Sequence, residues 1–301
     1  MKIPLAPAAR VDGFARIVDE FDALIIDQFG VLHDGAKPYP AVRDGLLQLH
    51  GAGKRMIVLS NSGRRSRPNA DQLAALGLPV SLFDAVITSG EIAWRSLHAR
   101  ADPFHRALGR RCVLIAAPND TGFIDGLGLE AVASADEADF LLAVTVGASQ
   151  RIVADCERLL EAGARRGIPL LCANSDIVRP AGTVLVPAPG ALAQRYAELG
   201  GPVHHYGKPL RSFFEHCLDA LNGVPRERVL MVGDSLEHDI LGAQRAGIGS
   251  VYIRGGIGSG IGWHDLVAHS GDPGLQPTYV MERFGWRQAP NAAFESRPAT
   301  P

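Results

Sequence analysis

The chain has 301 residues, 47% of them hydrophobic and 21% charged, with a formal net charge of −2. That length favours about two domains with sizeable cores, and the near-neutral balance without a Lys/Arg block argues against a nucleic-acid surface. No run approaches the roughly 18 apolar residues of a membrane span, and Met1-Lys2-Ile3-Pro4 does not begin an export signal, so neither membrane nor export is expected. Cys112, Cys156, Cys172 and Cys217 sit singly in apolar contexts without a CxxC pair. They read as reduced thiols of a cytoplasmic protein.

In chain order, the apolar run Ala23-Leu24-Ile25-Ile26 predicts a buried strand over 22–27. A turn from Gly30 to Gly35 follows, then a helix opened by Pro40 with Val42, Leu46 and Leu49 on one side, stopped by Gly51 and Gly53. Further strands are expected at 55–59 and 85–88, separated by a helix through Leu73 and Leu76 that ends at Gly77. This alternation implies a parallel, doubly wound α/β sheet. Cys112–Ile115, Phe140–Val144 and Leu170–Ala173 predict strands of a second α/β unit, with a helix at 150–166. The first unit then resumes with a helix at 209–222, a strand at 228–232, a helix at 236–246 closed by Gly247, and a strand at 249–253. The expected organisation is a core domain in two pieces, 1–104 and 201–287, interrupted by an inserted domain at 105–200. The Pro/Ala/Ser-rich tail 288–301 is expected to be disordered.

Four polar motifs carry the chemistry: Asp27-Gln28-Phe29-Gly30-Val31, Ser60-Asn61, Gly207-Lys208-Pro209 and Gly233-Asp234-Ser235-Leu236-Glu237-His238-Asp239. Three of them directly follow predicted parallel strands, and residues beyond the carboxyl ends of such strands share one crevice. By themselves Asp234 and Asp239 could simply cap a helix. With Asp27 they make three carboxylates at one sheet end, a costly arrangement that an oxygen-seeking cation such as Mg²⁺ would relieve. Asp27 can attack phosphorus to give an aspartyl phosphate. Gly30 brings backbone N–H groups close, the Ser60 hydroxyl and Asn61 N–H would hold one phosphoryl oxygen, and Lys208 would hold another while keeping Asp27 ionised.

The order of these motifs resembles the haloacid dehalogenase-like phosphohydrolase superfamily over about residues 20–285. The insertion between the second and third motifs is that of subfamily IIA, the NagD-like and 4-nitrophenylphosphatase-like enzymes. Thr88-Ser89-Gly90, Ala173-Asn174-Ser175-Asp176 and Pro189-Gly190 add to the similarity. The resemblance implies a Rossmann-like core, a mobile α/β cap and dependence on Mg²⁺. It makes Asp27 nucleophile and metal ligand, the Phe29 carbonyl and Asp234 further ligands, and Asp239 a ligand directly or through water. Asn174 is a substrate contact from the cap, or a turn residue after a strand. The implied partner is a small phosphorylated metabolite, and cap surfaces could pair two chains as a homodimer.

Phe29 departs from the pattern, because phosphatases of this family carry there an Asp that protonates the leaving oxygen and then activates water. General acid–base help is worth about 10²–10⁴ in rate. His33 or Asp34 could replace it, or the substrate could carry a leaving group that needs no proton. The alternative is a metabolite-binding protein whose hydrolytic ability has decayed. Carbon–halogen cleavage on this fold fits poorly, since it would not need the acidic pair. Arg64 and Arg65 could reach a second anionic group or lie solvated in a loop. His204-His205 lacks zinc-like companions and reads as structural. Gly255-Gly256-Ile257-Gly258-Ser259-Gly260 lacks the helix and acid of a dinucleotide loop.

Overall fold

The computed structural model describes residues 8–181, 184–256 and 275–287. The tail expected from Gln288 onward lies outside the described residues, as do 257–260 of the glycine-rich run.

The chain begins with β1 (Ala9–Arg10), β2 (Ala23–Ile26), α1 (Val42–Gly51), β3 (Arg55–Ser60), α2 (Ser66–Ala75), β4 (Ala85–Thr88) and α3 (Ser89–Ala99). It passes through α4 (Pro103–Ala107) into β5 (Arg111–Ile115), β6 (Glu130–Ala131), β7 (Phe140–Ala143), α5 (Ile152–Arg166) and β8 (Leu170–Cys172). The strands β9 (Val178–Ala181) and β10 (Val184–Pro187), α6 (Pro189–Glu198) and β11 (Val203–His205) follow. The last stretch holds α7 (Arg211–Ala220), β12 (Val229–Gly233), α8 (Leu241–Ala246), β13 (Gly249–Ile253) and β14 (Tyr279–Met281).

A first sheet has the order β1-β14-β13-β12-β2-β3-β4 and is parallel throughout. Its central strands are covered on both faces. Ala23 and Ile25 of β2 enter one hydrophobic cluster while Leu24 and Ile26 enter another, and β3 and β12 divide the same way. Two-sided burial is why these strands read as unbroken apolar runs rather than alternating ones. Each buried Leu or Ile contributes about 1.5–3 kcal/mol relative to exposure.

A second parallel sheet has the order β11-β8-β7-β5-β6, with β9 and β10 forming a separate antiparallel pair. The expected domain boundary at 200/201 falls too early, because β11 pairs with β8 and belongs to this second sheet. The three residues of β11, Val203–His205, carry too little apolar pattern to announce an edge strand. The two units are not independently packed. Ile57 and Leu59 of the first sheet and Phe140 and Leu142 of the second share one buried cluster. The chain's two passages between the sheets are also tied, His105 Nε2 lying 2.6 Å from the Tyr206 hydroxyl. His204 stacks on Phe104 at 4.3 Å, in keeping with a structural role. No helix among the described residues is long and apolar enough to cross a membrane.

The helix expected over 236–246 is divided. Leu236–Ile240 forms a wide π-turn that leads into α8, whose end at Gly247 takes the left-handed conformation with φ 70°. Single π-turns recur where a side chain must be re-aimed at a functional site, and this one carries Asp239.

Candidate active site

β12, β2 and β3 are neighbours in the sheet, so Asp234, Asp27 and Ser60 emerge side by side at their carboxyl ends. The Asp27 N–H donates to Val232 O at 2.8 Å, carrying the β2–β12 ladder one residue beyond the strand and fixing where its side chain starts. Lys208 enters from the loop between β11 and α7. Its ammonium donates to Asp27 Oδ1 at 2.6 Å and to Asp239 Oδ1 at 2.7 Å, and its side chain is only 3% exposed. Asp239 Oδ2 accepts from the Ser235 N–H at 3.1 Å, which locks the π-turn carboxylate in place.

Carboxylate oxygens of Asp27, Asp234 and Asp239 lie within 4.8 Å of one another. Burial pushes the Asp27 carboxyl well above the usual range; Lys208 opposes the rise, and Asp239 and Asp234 add to it. Burial also works against the charge on Lys208, yet its two carboxylate partners overcome this and keep it protonated. An all-oxygen donor set of three clustered carboxylates fits Mg²⁺.

Glycines make the close approach possible. A Cβ on Gly30 (φ 82°) would come within 1.9 Å of Asp234 Oδ2, and one on Gly256 within 2.1 Å of the same atom. The N–H of Gly30 itself donates to His33 O at 3.1 Å, closing the turn, and its missing Cβ makes room for Asp234.

His33 is likewise not an exposed acid–base group. It is fully buried, its Nδ1 accepts from the Gly35 N–H at 2.9 Å, and its Nε2 lies 2.9 Å from the Gln28 amide. An accepting Nδ1 places the ring proton on Nε2, so the Gln28 oxygen, otherwise buried without a partner, belongs opposite it. Burial lowers the His33 pKa to about 4, and the ring stays neutral. The Phe29 ring packs edge-on against it at 4.5 Å and faces the cavity. Asp34 also lines the cavity, with Oδ1 accepting from the Ala36 and Lys37 N–H groups at 2.9 and 2.8 Å. Those backbone donors hold its carboxyl below the usual range.

The cavity, of about 990 Å³, lies between the carboxyl ends of both sheets. From the first it takes Asp27, Ser60 and Lys208; from the second, residues just past β5, β7 and β8 such as Asp120, Thr145 and Asn174. Contact between the units is intimate, since a Cβ on Gly63 would lie 1.8 Å from Val144 O. Ser60 Oγ accepts from the Ser62 N–H at 3.2 Å, which leaves its hydroxyl hydrogen for a ligand. The Asn61 side chain is a junction that the sequence did not reveal. Its Oδ1 accepts from the Lys208 N–H at 2.7 Å, and its Nδ2 donates to Asp176 Oδ1 at 2.8 Å and Ser175 Oγ at 3.2 Å. Asn174 lines the cavity while its Oδ1 accepts from the Asp176 N–H at 2.9 Å, so it serves the turn as well. Arg65 does not reach the site: it pairs with Glu91 at 2.6 Å and stacks on Trp94. Arg64 does line the cavity, beside Arg179, Asp120 and Thr145, which no motif announced.

Fold and site together define a two-part α/β hydrolase whose carboxylates and lysine meet beneath an inserted unit. Residues 24–130 match the haloacid dehalogenase-like hydrolase family, and 205–285 match the HAD-hydrolase-like family. Chronophin from Bos taurus is 30% identical over 281 residues, covering 84% of this chain and 90% of that protein. A haloacid dehalogenase-like hydrolase from Brucella suis 1330 superposes with a TM-score of 0.77 at 27% identity, covering 92% of this chain and 99% of its own. The magnesium complex of glycerol phosphate phosphatase from Mycobacterium tuberculosis superposes with a TM-score of 0.66 at 25% identity, covering 88% and 76%. The chain belongs to the haloacid dehalogenase-like hydrolase family, with the insertion of its subfamily IIA.

Proposed function

We propose that this protein is a Mg²⁺-dependent phosphatase that hydrolyses a small phosphorylated metabolite through an aspartyl phosphate on Asp27. One observation carries the reading: Lys208 bridges Asp27 and Asp239, with Asp234 completing a carboxylate cluster that spans 4.8 Å. The magnesium complex of the glycerol phosphate phosphatase relative supports the choice of metal. Asp27, the Phe29 carbonyl, Asp234 and Asp239 would hold the ion, which supplies positive charge against the phosphoryl oxygens.

The protein's own groups do the rest. A carboxylate oxygen of Asp27 attacks phosphorus, forming a new O–P bond as the bond to the leaving oxygen breaks. The Ser60 hydroxyl, the Asn61 N–H and the Lys208 ammonium hold the phosphoryl oxygens as charge shifts onto them. Water then attacks phosphorus, freeing Asp27 and inorganic phosphate.

Phe29 sets the leaving-group preference. It can neither donate nor accept the proton, and His33 is neutral and locked in its turn. Asp34 is the remaining flap carboxylate on the cavity wall; being ionised, it suits the base of the second step and not the acid of the first. Substrates whose leaving group departs without a proton, acyl or aryl phosphates, are therefore favoured over alkyl esters. The reading places the enzyme in the cytoplasm, with the inserted unit running from about 105 through β11.

Phosphate release from p-nitrophenyl phosphate and acetyl phosphate, with Mg²⁺ and with EDTA, tests the activity. Asp27→Asn should reduce it at least about 10³-fold; a fully active variant would exclude the covalent route. Phe29 also motivates a second reading, a metabolite-binding protein that no longer hydrolyses. Saturable binding without phosphate release from any ester would establish that one instead.

A further inference from the structure

We infer that Tyr206 and Ser175 are positioning residues. They fasten the Lys208 segment to the inserted unit, so that this unit, and not the first sheet, sets where the Lys208 ammonium stands over Asp27. This deepens the phosphatase reading above and rests on it.

Lys208 stands just past β11, an edge strand of the inserted sheet that pairs with β8 and sets His205 opposite Cys172. The Tyr206 N–H donates to Cys172 O at 3.0 Å, which carries that ladder a residue further toward Lys208. The Tyr206 side chain turns back to the other connection between the units. Asp102 Oδ2 lies 2.5 Å from His105 Nδ1, which fixes the ring proton there, and Nε2 then accepts from the Tyr206 hydroxyl at 2.6 Å. His105 and Tyr206 are each 4% exposed, so water does not compete for this bond. Burial, and after it the charge on Asp102, raise the Tyr206 pKa well above its ordinary value, and the hydroxyl keeps its hydrogen.

Lys208 is also clamped through its own backbone. Its N–H donates to Asn61 Oδ1 at 2.7 Å, and its carbonyl accepts from the Ser175 hydroxyl at 2.9 Å. Ser175 comes from the turn after β8, so the second clamp belongs to the inserted unit. The first leads there too, because Asn61 Nδ2 donates to Asp176 Oδ1 at 2.8 Å and Ser175 Oγ at 3.2 Å. Gly207 leaves room for the clamp, since a Cβ on it would lie 2.5 Å from Asn61 Oδ1. Neither Tyr206 nor Ser175 lines the cavity, so each reaches the reaction through Lys208. The ammonium has to bridge Asp27 and Asp239, and a misplacement of about 1 Å can cost about 10²-fold in rate.

The test uses Tyr206→Phe and Ser175→Ala, each of which removes one hydroxyl and leaves the rest of the side chain. Each should lower kcat on p-nitrophenyl phosphate with Mg²⁺ by about tenfold and change KM by less than about twofold. Ser175→Thr, which keeps a hydroxyl, should retain most of kcat. Urea midpoints separate positioning from the plain loss of a hydrogen bond. An ammonium loosened from Asp27 and Asp239 weakens the metal-free protein most, so the gap between midpoints in EDTA and in MgCl₂ should widen in both variants. Wild-type kcat in both variants, a loss carried by KM alone, or midpoints lowered equally in the two buffers overturns the inference and leaves the phosphatase reading intact. Should wild type release no phosphate from any ester, that reading fails, and the midpoints still decide the positioning. A widened gap supports it, and an equal drop rejects it.

Discussion

The Lys208 ammonium lies 2.6 Å from Asp27 Oδ1, and both residues are shut away from bulk water. A buried ion pair is weak evidence for net stability, but removing one partner strands the other. Here the stranded group would be a carboxylate already crowded by two more. Lys208→Met should therefore cost about 3 kcal/mol in metal-free buffer, read as a lower urea midpoint. MgCl₂ should return much of the loss, because an ion that binds only the folded state stabilises it by mass action. A variant as stable as wild type in EDTA would mean the cluster is not under electrostatic stress.

Gly30 decides whether Asp234 can approach at all. With φ at 82° and a Cβ position 1.9 Å from Asp234 Oδ2, Gly30→Ala must displace either the turn or the carboxylate. The expected cost is about 1–2 kcal/mol of stability, and Mg²⁺ affinity should fall at least tenfold in calorimetric titration. Unchanged affinity would place the metal away from Asp234.

Phe29→Asp supplies the missing acid–base group at the edge of the cavity. Turnover of glycerol 3-phosphate should rise by about 10²-fold, and that of p-nitrophenyl phosphate by less, since its leaving group needs little proton help. The substitution also removes the ring that packs on His33 at 4.5 Å, so a small loss of thermal stability should accompany the gain. No gain on either ester, with the fold intact, would show that another group already moves the proton.

His33 predicts a dependence of stability on pH. Its folded pKa of about 4 lies below the unfolded value of about 6.5, so the unfolded chain takes up the proton first. The stabilising contribution is complete above about pH 6.5 and fades as pH falls toward 4, by up to about 3 kcal/mol. Wild type should lose more unfolding free energy than His33→Gln between pH 7 and 4.5. Identical losses would rule out a buried neutral imidazole.

The strands that build the site were legible because burial on both faces writes an unmistakable run, as in Ala23–Ile26 and Val229–Val232. The short strands β1, β6, β11 and β14 were not, since two or three residues hold no periodicity. Asp27, Ser60, Lys208, Asp234 and Asp239 were legible because strand ends in a parallel sheet converge. The glycine at position 30 was noticed, but the carboxylate it makes room for was not legible, because that depends on a strand about two hundred residues away.

The chain by itself determined the carboxylates, the lysine and the order in which they follow their strands, for these depend on local pattern and one topological rule. Only the tertiary structure decided that His33 is sealed off, that Arg65 turns toward Glu91 and Trp94, that Asn61 joins Lys208 to Asp176, and that Arg64 reaches Asp120 of the inserted unit. Those outcomes depend on burial and on charges brought together from distant segments, and neither quantity exists until the chain has packed.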